Sequence, residues 1–240
     1  MRIFSLKTAE MGAITLAIDI GGSKVKASTL NEKGQLVHDY IKLPTPDPAT
    51  PQNLIQTIKE LVKGFTYDRI AAGFPGYVRD NIVHTAPNLG SKYWDKVDLA
   101  TLLTKALGKP ARVVNDADML GLGCIKENGF EMMITLGTGF GTAFFLNGKL
   151  LPHLEIGQHP CFDSKTYDHC IGQKAYDALG KKDWNKRLEK ILKILKTTFN
   201  YDHLFIGGGN AKKITFELDA TMSIVTNEDG IDGGVQLWKQ

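Results

Sequence analysis

Three times along this chain an apolar run of strand length ends in a cluster of glycines: Gly21-Gly22, Gly137-Thr138-Gly139-Phe140-Gly141 and Gly207-Gly208-Gly209. Paired glycines let a backbone turn tightly and bring its N–H groups close to an anion. The first run, Ile14 to Ile20, also carries an acid, Asp19, beside its turn, with Ser23 and Lys24 just beyond. A carboxylate next to an anion-holding turn is the arrangement a metal–phosphate site requires. Alone, this stretch also reads as a plain hairpin with Asp19 a solvated edge acid. Recurrence at three strand ends instead fits a polyphosphate chain or nucleotide held between two halves of a molecule. Neither a P-loop lysine motif nor a dinucleotide fingerprint is present, since Gly137 to Gly141 leads into a strand.

The spacing between these turns predicts alternating strands and helices. Strands are expected before and after Gly21-Gly22, and a third at Gln35 to Lys42 completes a meander. Leu54, Ile58, Leu61 and Val62 recur at helical spacing after Pro51. A strand follows at Arg69 to Phe74. Asp98 caps a helix carrying Leu99, Leu102, Leu103 and Leu107, which Gly108 and Pro110 end. Ala111 to Val114 is a strand that runs into Asn115-Asp116, with a helix expected from there to Gly129. Then the opening grammar repeats: strand Glu131 to Leu136, glycine turn, strand Ala143 to Leu146, and the hairpin signal Asn147-Gly148. His153 to Asp168 shows no period and reads as loop. A lysine-rich helix at Asp183 to Asn200, a strand at His203 to Ile206, a short strand at Ser223 to Thr226 and a terminal helix at Asp229 to Trp238 finish the chain. The lysines read as a solvated helix face.

Composition excludes several classes. A net charge of +3 over 240 residues is too small to argue for nucleic acid. No apolar run reaches membrane-spanning length, and no signal-peptide pattern is read at the N-terminus. Three cysteines, Cys124, Cys161 and Cys170, are too few for a disulfide scaffold and fit a reducing, cytoplasmic setting.

Four stretches in this order resemble the ROK family of sugar kinases, within the actin-like ATPase (ribonuclease H-like) superfold: Asp19-Ile20-Gly21-Gly22-Ser23-Lys24, Asn115-Asp116-Ala117, Leu136 to Gly141, and Glu155-Ile156-Gly157. Phe74-Pro75-Gly76, Asn88-Leu89 and Gly207 to Gly209 also fit, and the polyphosphate glucokinase branch is the nearest likeness. The resemblance implies a two-lobed α/β fold with an interdomain cleft. Its lobes are expected at residues 1–115 and 116–240, with the last helix able to pack on the first. It implies phosphoryl transfer from ATP or polyphosphate to the 6-hydroxyl of a hexose, glucose first. Asp116 would be the general base, and Asn88, Asn115, Asp116 and Glu155 would hold sugar hydroxyls. Asp19, Gly21, Gly22, Ser23 and Lys24 would form one phosphate loop and Gly137, Thr138, Gly139 and Gly141 the other. Gly207, Gly208 and Gly209 would meet the far end of the donor, and Asp19 would hold Mg2+ through water.

The chain departs from the family pattern at Gln158, where many members have histidine; His159 follows and is the candidate to replace it. The cysteine spacing does not form the family's zinc loop, so structural zinc is not expected. Asn115-Asp116 after a strand also reads as a helix cap, Asp118 as a first-turn acid, and Glu155 as a surface acid. Rival expectations are a kinase of another hexose or an amino sugar such as N-acylmannosamine, and a non-catalytic sugar-binding regulator. The expected partners are a sugar and a phosphoryl donor, with neither nucleic acid nor membrane. A homodimer is among the forms the resemblance leaves open.

Overall fold

The computed structural model describes residues 12–162, 164–226 and 232–240. The first half opens with β1 (Thr15–Ile20), β2 (Lys24–Leu30) and β3 (Leu36–Pro44), an antiparallel meander. Helix α1 (Pro51–Leu61) follows; Pro51 occupies its first turn, and the Thr50 side chain accepts from the Asn53 N–H to cap it. Then come β4 (Arg69–Phe74), a small three-stranded flap of β5 (Val78–Arg79), β6 (Ile82–Val83) and β7 (Val97–Asp98), helix α2 (Leu99–Leu107), β8 (Ala111–Asn115) and α3 (Asp116–Cys124). Strands β4 and β8 join parallel to β1, giving the sheet order β3-β2-β1-β4-β8.

The second half uses the same plan. Strands β9 (Phe130–Leu136), β10 (Phe140–Leu146) and β11 (Lys149–Leu150) form an antiparallel meander. A hairpin of β12 (Pro160–Phe162) and β13 (Lys165–Thr166) leads to α4 (Tyr167–Ile171) and α5 (Gln173–Phe199). Strand β14 (His203–Gly207) and then β15 (Met222–Ile224) add parallel to β9, so the order is β11-β10-β9-β14-β15. The chain ends in α6 (Gly233–Gln236) and a turn of 3-10 helix. The repeat is architectural: both sheets carry their glycine turn between the first and second strands of the meander.

Each sheet has its own core. Leu16, Ile18, Ile58, Phe74 and Trp94 pack on the first, and Met132, Ile134, Trp184, Leu188 and Tyr201 on the second. A third cluster joins them through α3, where Ala117, Met119 and Leu122 meet Ala71 of β4 together with Met133, Ala143 and Phe145 of β9 and β10. With apolar neighbours on two sides, α3 has no single apolar stripe.

Several boundaries differ from the sequence reading. Helix α3 stops at Cys124, because Glu131 turns back to accept from the N–H of Lys126, 2.8 Å. Helix α5 begins ten residues earlier than Asp183 and bends at Gly180, whose φ of 73° is open to glycine without strain. The 153–168 segment holds a 3-10 turn, a hairpin and the start of α4, each too short to show a period. The expected terminal helix is only one turn of α-helix plus one of 3-10, and its residues 229–231 lie outside the described ones.

Helix α6 packs on α3, β1 and β4. A Cβ at Gly233 would overlap the Met119 carbonyl oxygen, and one at Gly234 would stand 3.0 Å from the Ala17 Cβ. Gly233→Ala therefore forces α6 off its seat. It should lower stability by about 3 kcal/mol and the thermal midpoint by roughly 10 °C. A melting curve matching the parent's would show that α6 does not hold this contact.

Candidate active site

The two sheets face one another across a cavity of about 610 Å³. Asp116 lies on its lining at the first position of α3, directly after β8. Two glycines let the helix start wedge between the sheets. A Cβ at Gly73, the end of β4, would stand 3.3 Å from the Asp116 Cα. A Cβ at Gly141, the start of β10, would stand 3.3 Å from the Ala117 Cβ. Asn115 fixes the junction: its Oδ1 accepts from the Ala117 N–H (2.8 Å) and its Nδ2 donates to the Gly76 carbonyl (2.9 Å). The buried Asn115 thus lines the cavity while its amide is spent on holding α3 and the loop after β4.

Asp116 is pushed up to about 7. Loss of solvation is the main cause, and the Asp19 carboxylate nearby adds to it. The Ala117 N–H, 2.9 Å from Oδ1, opposes the rise. A carboxyl group held near neutrality on the wall of a cleft is suited to taking up a proton and giving it back.

Of the three glycine clusters, the first two line the cavity through Gly21, Gly22, Gly137, Thr138, Gly139 and Gly141, and the third through Gly208. The Gly21 N–H closes the first turn onto the Lys24 carbonyl (2.9 Å), and Thr45, just after β3, donates from its Oγ1 to the Gly21 carbonyl (2.6 Å). Gly22 faces Asn88, which is exposed and also lines the cavity; a Cβ on the glycine would stand 3.4 Å from the Asn88 Cβ. Gly208, at φ +86°, lies so close to Leu136 at the end of β9 that a side chain would overlap its carbonyl oxygen. Asn210 bridges the same place by donating to the Gly137 carbonyl (3.3 Å).

Ser23, Lys24, Gly207, Gly209 and His159 are outside the lining. Lys24 is exposed at the start of β2, and the cation beside Asp19 is Lys26, whose Nζ lies 2.7 Å from Oδ2. Asp19 and Lys26 are direct cross-strand partners, so counting back from the Gly21-Gly22 turn would have found the pair. Gly207 packs against Leu120 of α3. His159 is exposed beside Tyr167, whereas Gln158 lines the cavity.

Asp168, which the sequence reading passed over, ties one side of the site together. Its Oδ1 accepts from the Phe140 N–H in the second glycine loop (2.6 Å), and its Oδ2 accepts from Gln158 Nε2 (2.7 Å). Cβ atoms at Gly139 or Gly157 would each lie 2.8 Å from Oδ1. The available signal was weak: Thr166 caps α4, which makes Asp168 a first-turn acid. Glu155 lines the cavity from the neighbouring segment, its side chain 37% exposed. Oxygen donors for a hard cation are therefore at hand in Asp19, near Asp116.

Two parallel-extended meanders of the same order, packed about a shared helix with a cleft between them, make this an actin-like ATPase fold. The ROK family model matches residues 15–159. A polyphosphate glucokinase of Mycobacterium tuberculosis is 33% identical over 208 residues, covering 82% of this chain and 77% of that protein. Its counterpart in Mycobacterium leprae is 33% identical over 207 residues, and there the match spans 63% of the relative's length. Among solved structures, the inorganic polyphosphate/ATP-glucomannokinase of Arthrobacter sp. strain KM superposes with a TM-score of 0.84 at 29% identity, over 95% of this chain and all of that one. A ROK glucokinase from Streptomyces griseus, in complex with glucose and AMPPNP, shares the fold with a TM-score of 0.75 at 20% identity, over 93% of this chain and 98% of that one. The chain belongs to the ROK family.

The raised Asp116 fixes a sign for stability. The folded state holds this proton more tightly than the unfolded chain, so stability falls as pH rises from about 3.8 through about 7. Asp116→Asn removes the buried charge. The variant should therefore be more stable than the parent at pH 8, by roughly 2–4 kcal/mol, and the gap should narrow at pH 5. Chemical denaturation at the two pH values reads this directly; a gap independent of pH would mean that Asp116 is not perturbed.

Proposed function

We propose that this chain is a sugar kinase that transfers a phosphoryl group from polyphosphate or ATP to the 6-hydroxyl of a hexose, with glucose the first candidate. One observation carries the reading: Asp116, raised towards neutrality, shares a single cavity with two glycine turns that come from separate sheets. The names of the Mycobacterium and Arthrobacter relatives support it. The chemistry fits as well, since phosphoryl transfer needs little covalent work from the protein beyond positioning, charge neutralisation and a base.

In this mechanism the sugar lies between the sheets with its 6-hydroxyl towards Asp116. Asn88, Glu155 and Asp168 hold the other hydroxyls, and Asn115 sets the height of the base. Gln158 takes the edge of the site that the exposed His159 leaves. The donor phosphates lie along the Gly21-Gly22 and Gly137 to Gly141 turns, with Lys26 and the backbone offsetting their charge. A magnesium ion held by Asp19 through water would neutralise more of that charge when bound. The sugar oxygen forms its bond to the terminal phosphorus as the bond from that phosphorus to the bridging oxygen breaks, and the hydroxyl proton passes to Asp116. Movement of the two sheets as lobes about α3 would shield the reaction from water, which competes as acceptor. The lysine-rich face of α5 is solvated in this reading, with Lys193 paired to Glu189 (2.8 Å) and Lys186 to Asp183 (3.3 Å).

The test is a coupled assay for sugar 6-phosphate, with glucose, mannose, fructose and amino sugars crossed against ATP and polyphosphate in the presence of magnesium. Turnover is expected with glucose, on an acid limb in kcat/KM near pH 7 from Asp116. Asp116→Asn should lose at least about 10³-fold in kcat while keeping its affinity for the sugar. Turnover by that variant within tenfold of the parent would remove Asp116 from the role of base.

A further inference from the structure

Behind the cavity wall lies a charged pair, His153 and Asp118, that the reaction scheme leaves without a task. His153 stands between two carboxylates. Its Nδ1 is 3.0 and 3.1 Å from the two oxygens of Asp118, and its Nε2 is 3.4 Å from Glu155 Oε1. The side chains of His153 and Asp118 are each only 3% exposed. Asp118 is two residues beyond Asp116 on α3, so the helical turn carries it away from the cavity that Asp116 lines. Glu155 reaches the cavity from the far end of the cluster.

We propose that His153 is a positioning residue: an imidazolium clamped between Asp118 and Glu155, which sets the Glu155 carboxylate at the sugar site and so governs sugar affinity. This rests on the reading of the cavity as a sugar site. Three observations carry it. First, both ring nitrogens face carboxylate oxygens. A neutral imidazole has one N–H and would turn a lone pair towards one of them, whereas the imidazolium donates to both. Second, Asp118 is buried, and a buried carboxylate needs a charged or hydrogen-bonding partner. Third, His153 is the one side-chain partner of Glu155 among the described residues, and the segment between them is pinned by Thr142, whose Oγ1 donates to the Leu154 carbonyl (2.7 Å). Without the clamp, a half-exposed glutamate just before a 3-10 turn would keep its full rotamer freedom, which sugar binding would then have to remove.

The groups facing the ring are Asp118 and Asp116 from α3, Glu155 from its own segment, and Tyr77, whose ring stacks at 6.1 Å. Burial works against the imidazolium, but the hydrogen bonds to Asp118 and Glu155 outweigh it and push His153 up to about 10. Burial also pushes Asp118 up, and the bond from His153 opposes that rise. The clamp is therefore charged across the whole neutral range, and it does not switch there.

Nitrogen-15 NMR of the histidine ring and glucose calorimetry test this together. In the parent at pH 8 both His153 ring nitrogens should be protonated. His153→Ala should raise the Kd and KM for glucose at least tenfold, with kcat and the donor KM within threefold of the parent. Asp118→Asn keeps the shape and an acceptor but removes the charge. Its His153 should lose a proton between pH 6 and 9, and the ratio of its glucose Kd to the parent's at the same pH should rise over that range. A singly protonated His153 in the parent at pH 7 overturns the clamp, even where His153→Ala fails to fold. A glucose Kd within twofold of the parent's in a folded His153→Ala, or an Asp118→Asn to parent Kd ratio that does not change with pH, overturns the positioning role alone. Absence of sugar binding by the parent removes the sugar reading and this role with it.

Discussion

The Asn115 side chain is the contact on which the site depends. Its carbonyl end caps α3, and its amide end holds the loop that leaves β4. One buried residue therefore sets the end of a central strand, the start of the helix between the two sheets, and the height of the next residue, Asp116. A side chain in a sheet-to-helix junction of this kind moves little, because shifting it would expose or orphan polar groups at both ends of the amide. Gly73 and Gly141 complete the junction by leaving room for the helix from opposite sides. The same buried position strips water from the carboxylate and moves its proton affinity towards neutrality, so placement and reactivity have one cause.

The site concentrates negative charge. Asp19, Asp116, Glu155 and Asp168 all line one cavity, and Asp118 lies just behind it. All but Asp116 have a side-chain partner among the described residues. Lys26 pairs with Asp19 across the hairpin. The Phe140 N–H and Gln158 satisfy Asp168. His153 lies between Asp118 and Glu155. Asp116 has only the Ala117 N–H, and loss of solvation pushes it up to about 7; burial raises Asp118 and Asp168 as well, against the bonds they accept. What sets Asp116 apart is its place on the cavity lining with no side-chain partner of its own among the described residues, which is why it is the one proposed as base.

Much of this was legible in the amino-acid sequence, because the features concerned are local. Period-2 runs and glycine turns report strands and their ends, and Pro51 and Asp98 mark helix starts directly. The repeat of the meander was visible for the same reason. Asp19, Asn88, Asp116, Glu155 and most of the glycines of the first two turns do meet in one cavity. What escaped is set by contacts distant in sequence. Asp168 gains its place only when α4 folds back onto the second glycine loop. His153 reads as a loop histidine until Asp118, 35 residues earlier, is brought against it. The exchange of Gln158 for His159 depends on one 3-10 turn at Ile156–Gln158, too short to show in any periodicity. Lys24 and Lys26 differ only in register, which the length of the hairpin turn decides.

The central claim is that the cavity between the sheets holds a hexose with its reactive hydroxyl at Asp116. A crystal structure of the protein with glucose and a non-transferable donor analogue tests it most directly. The 6-hydroxyl should lie about 3 Å from an Asp116 carboxylate oxygen, with the donor's terminal phosphate in line on the far side of that hydroxyl, between the first and second glycine turns. A sugar bound outside this cavity, or one whose 6-hydroxyl points away from Asp116, would contradict the account.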